Sequence, residues 1–287
     1  MPPAQRIPLL FDTDIGTNVD DAMALALILA SPELELLGVT TASGDTQARA
    51  RLAAKLLQCA GRPNVPVAVG EPGKPLPIDQ CRWAAGFSSP AMITQPAVEF
   101  LAGQIDRRPG EITLLAVGPL TNVAGLVRIH PATAKKLKQL VIMGGSIHRG
   151  YEPDSPPTAE VNIARDVAAA RTVLASGLPT LLVPLDVTAM LELDFEGRHR
   201  LFSRLTPLTD ALALLYHLWH QPTPILYDPM AVATVMDPAW CATEPLAIAV
   251  DDEGLTRVAE GKPPNAVVAL RTVPKKFVDF FLSRVAA

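Results

Sequence analysis

Four short apolar runs, 7–12 (IPLLFD), 111–117 (EITLLAV), 138–143 (KQLVIM) and 180–185 (TLLVPL), each break off into a polar, glycine or proline loop. Runs without polar alternation fit strands buried on both faces. Helical spacing follows or precedes them, as at 20–30, ended by Pro32, and at 45–61, opened by Asp45 or Thr46 and closed by Gly61. Strands alternating with helices predict an α/β chain with a mostly parallel open sheet and helices on both faces, a Rossmann-like core. Right-handed crossovers align the C-terminal strand ends along one edge, where open sheets hold ligands. Further strands are expected at 34–42 and 65–70, and helices at about 95–107, at 119–130 and over the single stretch 164–177. Segments 71–93 and 150–161 read as loops, and the C-terminal part as a hairpin (246–261), a strand (266–270) and a helix (274–286). No composition break marks a linker, so one domain over 1–287 is expected.

Aromatic residues make up 5% of the chain and hydrophobic residues 49%, so Ala, Leu and Val must fill the core. The formal net charge is −4 and no basic run occurs, which argues against a nucleic-acid partner. No apolar run reaches the roughly 18 residues of a membrane span. The N-terminal MPPAQRIPLL lacks the apolar core of a secretion signal. Cys59, Cys81 and Cys241 lie far apart, which fits neither zinc nor a disulfide framework. A cytoplasmic protein is expected.

The stretch 9–27, LLFDTDIGTNVDDAMALAL, places Asp12, Asp14, Asp20 and Asp21 at the end of the first buried strand. One or two of these acids can cap the following helix. Four so close repel one another unless a cation sits among them, and a hard divalent ion bound through oxygen is the natural partner. Both readings stay open on spacing alone.

DTDIGT superficially resembles the DxDx(T/V) loop of haloacid dehalogenase-like phosphatases, but Thr17 follows Asp14 by three positions rather than two. The stretch as a whole resembles the DxDxGxDD signature of the inosine–uridine-preferring nucleoside hydrolases. GVTTASGD (38–45), LLAVGPLTNVA (114–124), VIMGG (141–145), TAEVNIARDVAAARTVLASG (158–177), VPLDVT (183–188), YDPMAVATVMDP (227–238) and PNAVVAL (264–270) are similar to that family's segments, in its order.

The resemblance implies the nucleoside hydrolase fold and a Ca²⁺ ion that grips the ribose hydroxyls. Its implied ligands are the carboxylates of Asp14, Asp21 and Asp228 and the carbonyl of Thr121. The implied reaction hydrolyses an N-glycosidic bond through an oxocarbenium-like transition state, with Asp14 as base toward a calcium-bound water. Asp20 and Asn162 are expected at ribose hydroxyls, Asp154 and Glu160 at the 5′-hydroxyl, and Met143, in VIMGG, and Asp45 among the substrate contacts. A homodimer or homotetramer is also implied, with a small nucleoside as the partner.

The chain departs from the family in four places. IGTNV between Asp14 and Asp20 is two residues longer than usual, so the loop must bulge. Asp45 and Asp154 replace asparagines, which adds charge and, with no basic cluster nearby, favours nucleosides over nucleotides. Tyr227 replaces a histidine credited with protonating the departing base. Tyr216 and His220, four apart in YHLWHQ, are expected to share a helical face on the base pocket, with His220 or Tyr227 as the acid. Trp219 and Trp83 are candidates to stack on the base. QCRWAAGFSS (80–89) differs from the family's His-Gly loop, so the base side is the less well matched. Two alternatives remain: hydrolysis of another N-riboside, and a ribose- or nucleoside-binding protein without turnover.

Overall fold

The computed structural model describes residues 6–287; residues 1–5, where the secretion-signal reading and the expected domain begin, lie outside the described residues. The strands are β1 (Ile7–Thr13), β2 (Leu34–Thr41), β3 (Val67–Val69), β4 (Met92–Ile93), β5 (Thr113–Ala116) and β6 (Gln139–Met143), then β7 (Thr180–Val183), β8 (Ala242–Leu246), β9 (Ile248–Val250), β10 (Thr256–Val258) and β11 (Ala266–Arg271). Nine of them form one sheet in the order β4-β3-β2-β1-β5-β6-β7-β11-β8. Every pairing is parallel except β8 with β11. The remaining two strands make the expected hairpin, β9 with β10.

Successive residues of a strand face opposite sides. In β1, Leu9 and Phe11 therefore pack with Val39, Leu115 and Val141 on one face, beneath the helices Asp20–Leu29, Thr46–Cys59 and Tyr227–Met236. Leu10 turns to the other face with Leu114, Leu140 and Leu182, covered by the helices Ala97–Arg107, Thr121–Ile129 and Val167–Leu174. Small Ala and Leu side chains from these helices fill both layers, as the low aromatic content requires. The fold is thus a single-domain α/β sandwich around a mostly parallel sheet. No helix among the described residues is long and apolar enough to cross a membrane.

Two local differences from the sequence reading have identifiable causes. The expected helix over 164–177 is broken: Val161–Arg165 stops at Asp166, whose φ of −147° leaves the helical region. Its carboxylate accepts from the Ala169 N–H and caps Val167–Leu174, a local bond that competes with continuation. Strand β8, ATEPL, carries Pro245 and is largely exposed, so it lacks an apolar pattern; proline is tolerated there because the strand is an edge.

Candidate active site

The strand order reverses between β1 and β5, and the loops leaving their C-terminal ends form a crevice. Asp12, still inside β1, is fully buried; it accepts from the Thr40 hydroxyl and from Asn122 Nδ2 at 2.8 Å. Burial pushes its carboxyl up to about 7, against the pull of those two bonds. It therefore ties three segments together beneath the crevice.

Asp20 and Asp21 open the helix Asp20–Leu29, but neither caps it: Val19 is the N-cap and no side chain accepts there. Asp228 lies in the first turn of Tyr227–Met236, which packs against the same helix. One carboxylate oxygen from each of Asp20, Asp21 and Asp228 lies within 4.8 Å of the others. All three residues are buried. Burial, then repulsion from neighbouring acids, pushes Asp20 up to about 7 and Asp21 and Asp228 well above the usual carboxylate range. Thr13 donates its hydroxyl to Asp21 Oδ1 and fixes that carboxylate. Three buried acids with no compensating cation among themselves are a donor set for a hard metal ion, which suits oxygen ligands.

The long loop after Asp14 is held by Arg49, which is completely buried. Its guanidinium donates to the carbonyls of Asp14, Ile15 (2.9 Å) and Ser43 (2.7 Å), and to the Thr17 hydroxyl (2.8 Å). Gly16 turns the bulge at a φ of +114°, a conformation open to glycine and rare for other residues. Arg49→Leu would leave three buried carbonyls without their charged donor. It is expected to lower unfolding stability by about 3–5 kcal/mol, read from urea denaturation midpoints. A loss below about 1 kcal/mol would show that the loop holds itself.

Asp14 faces the crevice with its backbone pressed against the loop that leaves β5. A Cβ added to Gly118 would stand 2.9 Å from the Asp14 nitrogen and 3.1 Å from its Oδ1, so only glycine fits there. Asp14 Oδ2 accepts from Arg165 Nη1 at 2.6 Å, and Arg49 Nη2 lies 3.8 Å away. Burial raises its carboxyl; the two arginines offset part of that rise. The group of three within 4.8 Å contains Asp20 beside Asp21 and Asp228, while Asp14, whose charge acts on both Asp20 and Asp21, is paired with the two arginines.

The crevice is a cavity of about 300 Å³. Asp14, Asp20, Asp21 and Asp228 form its acidic floor, and Met143, Glu160, Asn162 and Tyr227 join them in the lining. Glu160 accepts from three backbone N–H groups, those of Gly145, Asn162 and Ile163, at 2.9–3.2 Å. Its carboxyl nevertheless rises to about 7 through burial. Asn162 gives both amide hydrogens to the carbonyls of Val117 (2.9 Å) and Met143 (3.2 Å), so it offers a ligand only its oxygen.

Five residues expected at the site lie outside this lining. Thr121 is the first residue of Thr121–Ile129, where a carbonyl points along the axis into the helical ladder; its hydroxyl donates to Asp166 at 2.8 Å. The carbonyl that reaches the cavity wall from this segment is that of Val117. Asp45 is exposed and caps Thr46–Cys59, accepting from the Ala48 N–H at 2.9 Å. Asp154 is an exposed turn residue at a φ of +59°. Tyr216 donates its hydroxyl to the Pro222 carbonyl at 2.8 Å and packs on Phe202. The helix Pro207–Trp219 ends one residue before His220, which adopts a left-handed φ of +59° and is exposed. Tyr216 and His220 therefore share no helical face.

Among the lining residues weakly signalled or missed are Trp219, Tyr151 and Arg165. Trp219 lines the cavity, whereas Trp83 sits beneath the Lys55 ammonium, 4.3 Å from its ring centre. Tyr151, from the proline-rich loop, meets Tyr227 edge to face at 6.1 Å. Arg165 was hidden by the broken helix. Tyr227 itself is a poor acid: burial and nearby carboxylates push its phenol up.

Comparisons with known proteins agree with this fold. A model of the family described as inosine-uridine preferring nucleoside hydrolase matches residues 9–279. The pyrimidine-specific ribonucleoside hydrolase RihA of Citrobacter koseri is 33% identical, with 98% of each chain covered. RihA of Klebsiella pneumoniae is 32% identical over the same shares. The solved plant nucleoside hydrolase PpNRh1 superposes with a TM-score of 0.86 at 27% identity, covering 98% of this chain and 99% of that one. A purine-preferring ribonucleoside hydrolase from Gardnerella vaginalis gives 0.84 at 26% identity, covering 97% and 98%. With its match running from the first strand into the last helix, this chain belongs to the inosine–uridine-preferring nucleoside hydrolase family, enzymes that cleave the N-glycosidic bond of ribonucleosides.

Proposed function

We propose that the protein is a calcium-dependent ribonucleoside hydrolase in which Asp20, Asp21 and Asp228 hold the ion and Asp14 is the general base. The observation that supports this most is the convergence of three buried carboxylates within 4.8 Å at the edge where the strand order reverses. When bound, Ca²⁺ supplies an anchor for the ribose diol and lowers the pKa of a water held beside it.

The chain's own groups do the rest. Asp14 accepts the proton of the attacking water; burial raises its carboxyl above the usual carboxylate range, which strengthens it as a base. Arg165 and Arg49 hold its orientation. As the bond from C1′ to the base stretches, positive charge spreads over the ribose ring, and the surrounding carboxylates stabilise it. Asn162 accepts a ribose hydroxyl through its oxygen, the only group its bonds leave free. Glu160 closes the 5′ side, and Met143 lies against the ring. Tyr151, Tyr227 and Trp219 supply aromatic surface for ring and base. The curated relatives at 32–33% identity are named pyrimidine-specific, which makes uridine and cytidine the first substrates to try.

The test is release of free ribose by the purified, calcium-loaded protein from uridine, cytidine, inosine and 4-nitrophenyl riboside. Turnover of at least one nucleoside is expected. Tight ribose binding with release from none would favour the binding-protein alternative, and release only from the nitrophenyl compound would point to another N- or O-riboside.

A further inference from the structure

Cleaving a nucleoside here creates an electrostatic problem. The bonding pair between C1′ and the base nitrogen leaves with the base, which departs as an anion. It does so in a cavity whose wall carries Asp14, Asp20, Asp21, Asp228 and Glu160. These acids stabilise the ribosyl cation and repel the leaving anion. Either an acid must protonate the base as it leaves or a cation must receive its charge. Among the described residues no histidine lines this cavity.

Arg165 is the one cationic side chain in that lining. It stands at a boundary. On one side its Nη1 donates to Asp14 Oδ2 at 2.6 Å. On the other it lines an adjoining recess of about 270 Å³, together with Thr17 and Trp219, which are also shared with the main cavity. The recess contains Gln80, fully buried, whose amide nitrogen and oxygen have no protein partner. An orphaned amide of that kind is a group awaiting a hydrogen-bonding ligand. The Asp14 bond uses one of the five N–H donors of Arg165, and its side chain stays 30% exposed.

We infer that Arg165 receives the charge of the departing base, donating to the carbonyl oxygen beside its glycosidic nitrogen while Trp219 and Gln80 hold the ring. This rests on the hydrolase reading above and adds the group that activates the leaving base. The electron balance is simple. The C1′–N pair goes to the base and spreads onto its carbonyl oxygen. The water oxygen bonds to C1′ and its proton passes to Asp14. The base anion then takes a proton from Asp14 through solvent, which restores the enzyme.

Leaving-group dependence tests this. Uridine expels a poorly stabilised anion, whereas 4-nitrophenyl riboside expels one that needs no help. Arg165→Gln is expected to lower kcat/KM on uridine by about 10²–10³-fold, the usual loss for one donor to a developing anion, and on the nitrophenyl riboside by less than about tenfold. Arg165→Lys, which keeps a point charge without the fork, is expected to lose less than Gln on uridine and keep the same bias toward the activated substrate. Should Arg165→Gln fail to fold, as judged by thermal melting, the Lys variant alone still reports that bias. Equal losses on both substrates would overturn the inference and leave Arg165 a positioning residue for Asp14; unchanged rates would overturn it outright. A wild-type protein inactive on both substrates would instead sink the hydrolase reading, and this inference with it.

Discussion

Asp14→Asn is expected to lower kcat on a nucleoside by about 10²–10⁴-fold, the contribution of a positioned general base, with calcium still bound. The substitution keeps the side chain's size and one acceptor oxygen but removes the proton-accepting charge. In the proposed site the ion is held by Asp20, Asp21 and Asp228, the three carboxylates within 4.8 Å of one another, while Arg165 holds Asp14 Oδ2 at 2.6 Å. The ion's own ligands therefore survive. Arg49 also keeps its backbone acceptors at Ile15 and Ser43, so the loop remains attached. The KM is expected to move little, since the lost interaction belongs to the transition state. Steady-state kinetics alongside calcium titration separates the cases. An Asn variant with near wild-type kcat would remove Asp14 from the base role; one that loses calcium as well would return it to the ligand set.

Removing the metal should have the second large effect, abolishing turnover and changing how stability responds to pH. In the metal-free protein Asp12, Asp20 and Glu160 each titrate near 7, chiefly through burial. In the unfolded chain such groups titrate near 4. The folded state thus binds more protons between about pH 4 and 7, and the stability these groups contribute is present in acid and lost as pH rises through 7. A divalent cation reverses this, because it binds the deprotonated carboxylates of the native state. At a hundredfold excess over its dissociation constant it adds about 2.7 kcal/mol, or roughly 5–10 °C in Tm for a chain of this size. The expected result is a chelated protein whose Tm falls from pH 5.5 to pH 8, with calcium restoring more at pH 8 than at pH 5.5. A Tm indifferent to both calcium and pH would mean that the acids are neutralised in some other way.

What the sequence made legible follows from where the information is local. The parallel sheet and its ligand-bearing edge could be read because each central strand, β1, β5, β6 and β7, is a short apolar run ending in a loop. Asp12, Asp14, Asp20 and Asp21 were legible as an acidic cluster at the end of the first strand, whereas Asp228, far away in the chain, joined them only through the family resemblance of YDPMAVATVMDP. That neither Asp20 nor Asp21 caps the helix was not legible, since it depends on Val19 being the cap. The base side was least legible. Whether Trp219 or His220 faces the cavity turns on where one helix ends, a boundary uncertain by a residue or two in any sequence reading. A left-handed His220 rotates that register. Arg165 was missed because its orientation depends on the break at Asp166, a single capping bond. Asp45 shows the converse: its capping role was visible locally, and the resemblance drew it toward the substrate, whereas the cap decided its position.

The most direct measurement is anomalous diffraction from crystals grown with calcium and with a ribose-like inhibitor. One ion is expected per chain, bonded to carboxylate oxygens of Asp20, Asp21 and Asp228 at about 2.3–2.6 Å and to two hydroxyls of the sugar. An ion-free cup around a bound ribose, in a protein that turns over nucleosides in excess chelator, would contradict the account.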